Sequence, residues 1–258
     1  MAGSYSEIRG VQENLLRDIL LNVEKIPDAP VKDIAAGSHL IAVVSDHAGL
    51  CGRISGQGRE VTEKSLGTVE SALELASLLL KPFPESPDSL SCAMAAINSL
   101  LPVPDTVLRL KAQELILRNG KEKNVAVIGH FPFTDEIRSE FRNLWVLEIR
   151  PRPGDLPAGT ATEFLPRADV VAITATTLLN GTCADILRLI RKDAYTIMLG
   201  PSTPFAPCLF DWGIDALAGC SVNNAALVVS SIREELPYRR LKGIDPLIWL
   251  LEKDPVKT

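Results

Sequence analysis

The stretch ITATTLLNGT, Ile173 to Thr182, runs from an apolar segment straight into hydroxyls, an amide and a glycine. Thr and Asn make good helix caps and Gly permits a tight corner, which accounts for one or two of these residues. Four polar side chains in the seven positions from Thr176 to Thr182 are more than capping requires. A polar ligand held by Thr176, Thr177, Asn180, Gly181 and Thr182 is therefore expected. Other loops of similar chemistry follow apolar runs. GHFPF sets His130 directly after Gly129, EIRPRPGD opens on Glu148, and GPSTPFAP carries Gly200, Ser202 and Thr203. His130 and Glu148 are the groups able to move a proton, and so the candidate catalytic residues. Each loop also has a plainer reading. A single His often serves a structural hydrogen bond, and Ser202 or Thr203 can bond locally within a proline-framed turn.

Glu148 lies 19 residues beyond Gly129. That is close to the spacing at which a nucleotide-binding sheet sets an acid on a ribose hydroxyl. The first loop is not GxGxxG, however. Phe131 and Pro132 stand where glycines would let a pyrophosphate approach the backbone, which excludes a conventional dinucleotide site. S-adenosylmethionine asks less of that loop and stays open as a cofactor. No GxSxG elbow, GxxxxGK[ST] loop or HExxH pair occurs among the motifs. The weak metal candidates are His130 and, at one turn, His47 and Cys51 with Asp46; a polar hairpin tip beside a small buried thiol is the better reading of that turn. SGQGRE at 55–60 reads as a turn, and Arg53 and Arg59 could attract an anion.

These loops need strands to carry them. NVAVIG (124–129), LWVLEI (144–149), ADVVAIT (168–174), AYTIMLG (194–200) and ALAGC (216–220) are short and nearly all apolar without alternation. Strands of that kind are buried on both faces, as in a parallel sheet covered by helices. Helices fit at 134–142, 181–192 and 224–235, and Asp105 or Thr106 is positioned to cap another that ends near Arg118. Ligands of such sheets bind beyond the carboxyl ends of the strands, where helix N-termini favour an anion. Upstream, residues 6–25 read as an amphipathic helix, and VKDIAA, HLIAVVS and GLCGRIS as three short strands. Helical stretches follow near 68–81 and 88–101, the second rich in small residues and fit for close packing. LPVPD at 101–105 reads as a junction. The expected organisation is a small α+β domain over residues 1–103 followed by an α/β domain over 104–258 with a doubly wound, mainly parallel sheet.

The 258 residues can bury a large core, and 46% apolar with 23% charged residues is ordinary for a globular protein. A formal net charge of −5 argues against nucleic acid or an anionic membrane surface as partner. No apolar run is long enough to span a membrane, and the start MAGSYSEIRG has no signal-like apolar stretch. Five scattered cysteines without a CxxC pair argue for reduced thiols and a cytoplasmic setting. Ile248 and Trp249, in a late apolar segment, fit either a homo-oligomer interface or packing back onto the chain.

With those motifs in hand, the chain resembles the two-domain heavy-metal chelation family. The resemblance runs from about residue 5 to about 235. It is carried by AMAAINSLL (93–101), VAVIGHFPF (125–133), VLEIRP (146–151), DVVAITATTLLNGT (169–182) and GPSTPFAPCLFDWGIDALAG (200–219). It implies an enolase-N-terminal-like domain joined to a Rossmann-like domain, with a site in the cleft between them. Carried onto this sequence, it gathers His130, Glu148, Thr176, Thr177, Asn180, Ser202 and Thr203 there, with Asn98 from the first domain. The chemistry of these groups constrains the ligand. A soft bare ion wants converging thiolates and imidazoles, whereas hydroxyls, an amide, one His and one Glu suit an organic anion or a metal already held by a chelator. The expected function is binding or processing of a heavy metal, metal-chelate or metallocofactor precursor. An enzyme using a nucleoside-type cofactor and a regulatory binding module are the alternatives.

Overall fold

The computed structural model describes residues 5–54, 69–81 and 87–252. The turn expected at 55–60 and Arg59 lie outside that range. Leu15, Ile19 and Val23 recur at helical spacing and are fully buried along one side of α1 (Tyr5–Val23). An antiparallel meander follows, β1 (Asp33–Ala36), β2 (Leu40–Val44) and β3 (Ala48–Gly52), in the order β1-β2-β3. Ser71 caps α2 (Ala72–Ser77), its hydroxyl accepting from the Glu74 amide at 3.1 Å. The small residues of α3 (Pro87–Leu100) do what small residues permit, a close helix–strand approach. A Cβ on Gly49 of β3 would overlap the Ala95 carbonyl oxygen and the Ser99 amide nitrogen, so the two backbones touch directly.

Past the prolines of 101–104 the expectation of a helix capped at Asp105 or Thr106 fails. Val107–Leu108 is instead a short strand, β4, pairing with Trp249 and Ile248. The helix α4 begins only at Ala112 and runs to Gly120, the Glu114 carboxylate accepting from the Lys111 amide at 3.3 Å. Apolar partners at the sheet edge outweigh the local capping signal. From there strand and helix alternate: β5 (Asn124–Ile128), α5 (Thr134–Ile137), β6 (Asn143–Glu148), β7 (Leu156–Pro157), α6 (Ala161–Phe164), β8 (Val170–Thr174), α7 (Cys183–Leu189), β9 (Tyr195–Leu199), α8 (Cys208–Asp211), β10 (Ala216–Val222), α9 (Ala225–Arg233) and β11 (Ile244–Leu250).

The described strands form an eight-stranded sheet in the order β4-β11-β10-β9-β8-β5-β6-β7, parallel throughout except where β11 pairs antiparallel with β10 and β4. Both faces are buried, as the apolar strands demand. Val125, Val127, Val170, Ala172, Ile197 and Leu199 pack on one side with Leu115 and Ile116 of α4. On the other, Ala126, Ile128, Val171 and Ile173 meet Leu165 and Ile186. Farther along that second face, Met198 and Leu217 join one core with Leu15 and Ile19 of α1, Ile41 and Val43 of β2, and Met94 and Ile97 of α3. The amino-terminal elements thus share a core with the sheet. The late apolar segment packs back onto the chain: Ile248 is fully buried, and Trp249 meets Phe210 edge-on with centroids 4.8 Å apart.

No described helix is long and apolar enough to cross a membrane. The cysteines are unpaired, and burial pushes the thiols of Cys51, Cys92 and Cys183 up to about 12 from an ordinary 9.0.

Two outcomes follow from this packing. Gly49→Ala forces apart two backbones that already touch, and should lose about 1–3 kcal/mol or more in chemical denaturation. The thiols give a pH dependence. Unfolded thiols ionise near 9 while the buried ones hold their protons to about 12, so the unfolded state sheds protons first and stability falls as pH climbs through that window. Melting curves at stepped alkaline pH should show the decline, and it should be shallower in a Cys51→Ala/Cys92→Ala/Cys183→Ala protein.

Candidate ligand-binding site

The chain turns back on itself between β5 and β8. β6 and β7 continue to one side of β5, and β8, β9 and β10 to the other. Loops leaving β5 and β8 diverge there and open a crevice at the carboxyl end of the sheet. Gly129 makes the turn possible. It sits at φ +95°, and a Cβ would lie 3.0 Å from Thr174 Cγ2 on the neighbouring strand. A pocket of about 410 Å³ occupies the crevice, within the range of small-molecule sites. Its polar wall carries Gly129, His130, Glu148, Thr174, Thr176, Thr177, Asn180, Thr182 and Asp185; Ile128, Phe131, Leu147, Ile149, Ile186 and Leu189 supply the apolar wall.

Most of the polar cluster that stands out in the sequence is engaged in building its own loop. Thr177 Oγ1 donates to the Thr174 carbonyl at 2.8 Å. Asn180 Oδ1 accepts from the Thr182 hydroxyl at 2.7 Å and the Thr182 amide at 3.1 Å, and Gly181 takes φ +80°. Two donors are left over. Thr174 and Thr176 share one hydrogen bond at 3.0 Å, which uses one hydroxyl proton and leaves the other, and the Asn180 side-chain N–H group has no partner among the described residues. The start of α7 is not an open anion site. Gln12, from α1, accepts from the Ala184 amide at 2.9 Å and donates to the Leu178 carbonyl at 2.9 Å.

Glu148 and His130 meet, though not as an acid beside a base. The Glu148 carboxylate accepts backbone N–H groups from His130 at 2.9 Å, Ile149 at 2.7 Å and Arg150 at 3.2 Å. It ties the loop after β5 to the loop after β6. The His130 ring looks to a residue that sequence reading missed. Its Nδ1 lies 3.0 and 3.2 Å from the carboxylate oxygens of Asp155, whose side chain is only 2% exposed and which also accepts from the Arg152 amide at 3.1 Å. An ionised carboxylate only accepts, so a neutral imidazole facing it carries its proton on Nδ1 and its lone pair on Nε2. Nothing among the described residues bonds that Nε2. A carboxylate holding one imidazole nitrogen so that the other can act is the arrangement behind both metal-ligating and proton-transferring histidines.

The remaining expected residues do not reach this pocket. Ser202 is buried, and its Oγ accepts from the Gly52 amide at 2.8 Å. Asn98 donates to the carbonyls of Leu50 at 2.8 Å and Pro201 at 3.4 Å. These bonds tie the amino-terminal meander and α3 to the loop after β9. Thr203 Oγ1 is buried there without a hydrogen-bond partner among the described residues, and Gly200 turns the chain at φ +113°. A second cavity of about 680 Å³ lies elsewhere, between Lys25 and Leu101 on one side and Phe205 and Trp249 on the other, and none of the expected residues line it. Asp46 and His47 are exposed while Cys51 is fully buried, so they do not converge. Arg53 is committed to Asp88, 2.8 Å away. Among the described residues no group of three or more His, Cys, Asp and Glu side chains could hold a metal ion. A bare ion therefore finds no cage there, whereas a metal in an organic chelator would need only one donor.

Fold and pocket define an α/β protein with a pocket at the carboxyl end of a mainly parallel sheet. The chain belongs to the family DUF364, described as "Putative heavy-metal chelation", whose model matches residues 111–244. "Uncharacterized protein MJ0500" of Methanocaldococcus jannaschii is 31% identical over 117 residues, covering 43% of this chain; the match spans 45% of that relative's length. A crystal structure of a DUF364 protein of unknown function from Desulfitobacterium hafniense superposes with a TM-score of 0.76 at 24% identity, covering 92% of this chain and 98% of that one. A second, from Pyrococcus horikoshii, gives 0.73 at 16% identity, over 93% and 100%. At those identities the likeness is one of fold.

The tautomer is measurable. In wild-type protein, ¹⁵N-resolved spectra of His130 at neutral imidazole should show the proton on Nδ1. Asp155→Ala should move it toward the Nε2–H form that free histidine favours, and an unchanged tautomer would exclude Asp155 as the orienting group.

Proposed function

We propose that the protein binds a metal carried in an organic chelator, as cargo or as a metallocofactor precursor, with His130 Nε2 as its single protein ligand. One observation carries this reading: Asp155 holds Nδ1 of the His130 ring, Nε2 has no partner among the described residues, and His130 is one of the residues lining a pocket of ligand size. The family description names heavy-metal chelation. A single imidazole binds a bare ion weakly, but it completes the coordination of a metal whose other positions an organic molecule fills. The Thr174–Thr176 hydroxyl pair and the Asn180 amide would hold the organic part, and the apolar wall would pack against its carbon frame.

In the same reading the parallel sheet is a Rossmann-like unit and residues up to about 103 an enolase-N-terminal-like unit. The strand order β7-β6-β5-β8-β9-β10, with its reversal beside the pocket, supports the former, and the antiparallel meander followed by helices is in keeping with the latter. The nucleoside-cofactor alternative loses support because the Glu148 carboxylate, its expected ribose contact, already accepts three backbone N–H groups.

The chain has three histidines, which makes the test clean. In a His39→Gln/His47→Gln background, Cu(II)–nitrilotriacetate should bind one to one and shift its visible band as a protein nitrogen enters the copper shell. His130→Gln should abolish the shift. A shift that survives His130→Gln, or S-adenosylmethionine stabilising the protein where the copper chelate does not, would overturn the reading.

A further inference from the structure

Three carboxylates belong to the pocket or its support, and two of them are already spent. Glu148 accepts three backbone N–H groups, and Asp155 holds the His130 ring. Asp185 differs from both. It sits in the first turn of α7, is half-buried, and lines the same pocket as His130, Asn180 and Thr182. No hydrogen bond or ion pair reaches its side chain from the described residues. Gln12, which closes the start of that helix, bonds Ala184 and Leu178 instead.

The pocket gives this acid no counter-charge. Its described lining carries two carboxylates, Glu148 and Asp185, and no lysine or arginine. Thr174, Thr176 and Asn180 are left with hydroxyl and amide protons, which suit acceptors on a ligand. Asp185 offers the opposite, a carboxylate that suits a donor. Such a group selects by penalty as well as by attraction. In the open pocket, water solvates it. A ligand that fills the space without a donor there strips that water and returns nothing, whereas an ammonium group replaces it with a charge-assisted hydrogen bond.

We infer that Asp185 decides which organic chelator the pocket accepts, by taking a protonated amine carried on the chelator's frame. The inference rests on the proposed metal-chelate reading and adds to it the chemical class of the cargo. That class is a chelate with a free ammonium arm besides the groups that hold its metal.

Copper chelates that are identical at the metal isolate the arm. The set is Cu(II)–nitrilotriacetate derivatives bearing a two- or four-carbon arm that ends in an ammonium, each beside its acetylated, neutral form. All are titrated calorimetrically and spectroscopically into the His39→Gln/His47→Gln protein. At least one ammonium chelate should bind on the order of tenfold more tightly than its acetylated form, and Asp185→Asn should erase the difference. If neither arm length shows a preference, or the preference survives Asp185→Asn, the Asp185 assignment is overturned, and a visible-band shift that depends on His130 leaves the metal-chelate reading standing. If Asp185→Asn removes that band shift from a protein that still melts as wild type does, the carboxylate belongs to the metal's shell and the assignment falls as well. If no chelate coordinates His130, both readings fall together.

Discussion

Everything in this fold follows from five strands that are apolar on both faces. Such strands cannot leave a side to water, so the chain must supply two covering layers. One comes from the helices between strands, such as α4. The other is completed by the amino-terminal elements, whose α1, β2 and α3 share a core with Met198 and Leu217 of the sheet. The cover is then fixed by polar bonds at the seam, among them Gln12 to Leu178 and Ala184, Gly52 to Ser202, and Asn98 to Leu50 and Pro201. Covering both faces leaves the ends of the sheet as the places for a pocket, and the reversal of strand order opens the carboxyl end.

At that end the chain spends two acids on holding one base. Glu148 stitches the loops after β5 and β6 together through backbone amides, and Asp155 turns the His130 ring. Both carboxylates act on geometry, and the imidazole Nε2 is left without a partner among the described residues. The hydroxyl-rich loop after β8 divides in the same way. Thr177, Thr182 and the Asn180 oxygen shape the loop, while the Thr174–Thr176 pair and the Asn180 N–H group have no partner among the described residues for their remaining protons.

The sheet was legible because burial on both faces writes itself into each strand as an unbroken apolar run, and NVAVIG or ADVVAIT needs no distant partner to be recognised. The close packing of α3 was legible from Ala93, Ala95 and Ala96, since small residues have few other uses in a buried helix. The short strand at Val107 was not. Its partners, Ile248 and Trp249, lie about 140 residues downstream, while Asp105 and Thr106 offered a local and misleading cap. The same limit governs the site. His130, Glu148 and the Thr176–Thr182 loop stand at strand ends, where position alone marks them. Asp155 reads as an ordinary loop acid after a glycine, and only the folded chain brings it to His130, 25 residues away. Ser202 and Asn98 resembled ligand contacts because a hydroxyl or amide at a strand end or on a helix looks the same whether its partner is a ligand or the other half of the protein.

The chemistry of the donors bears on what the family description can mean for this chain. Thiolates are the strongest ligands for soft metals, and the chain has five cysteines. Cys51, Cys92 and Cys183 lie fully inside the core, and burial holds each thiol in its protonated form far above neutral pH. Those three thiols are thus sequestered in the core, and the half-buried Cys208 and Cys220 do not line the pocket. What remains at the pocket is one oriented imidazole, carboxylates already engaged or standing apart, and hydroxyl and amide donors suited to organic oxygen. A donor set of that kind supports the proposed metal-chelate reading, in which the organic part of the cargo, rather than the metal, would set the specificity.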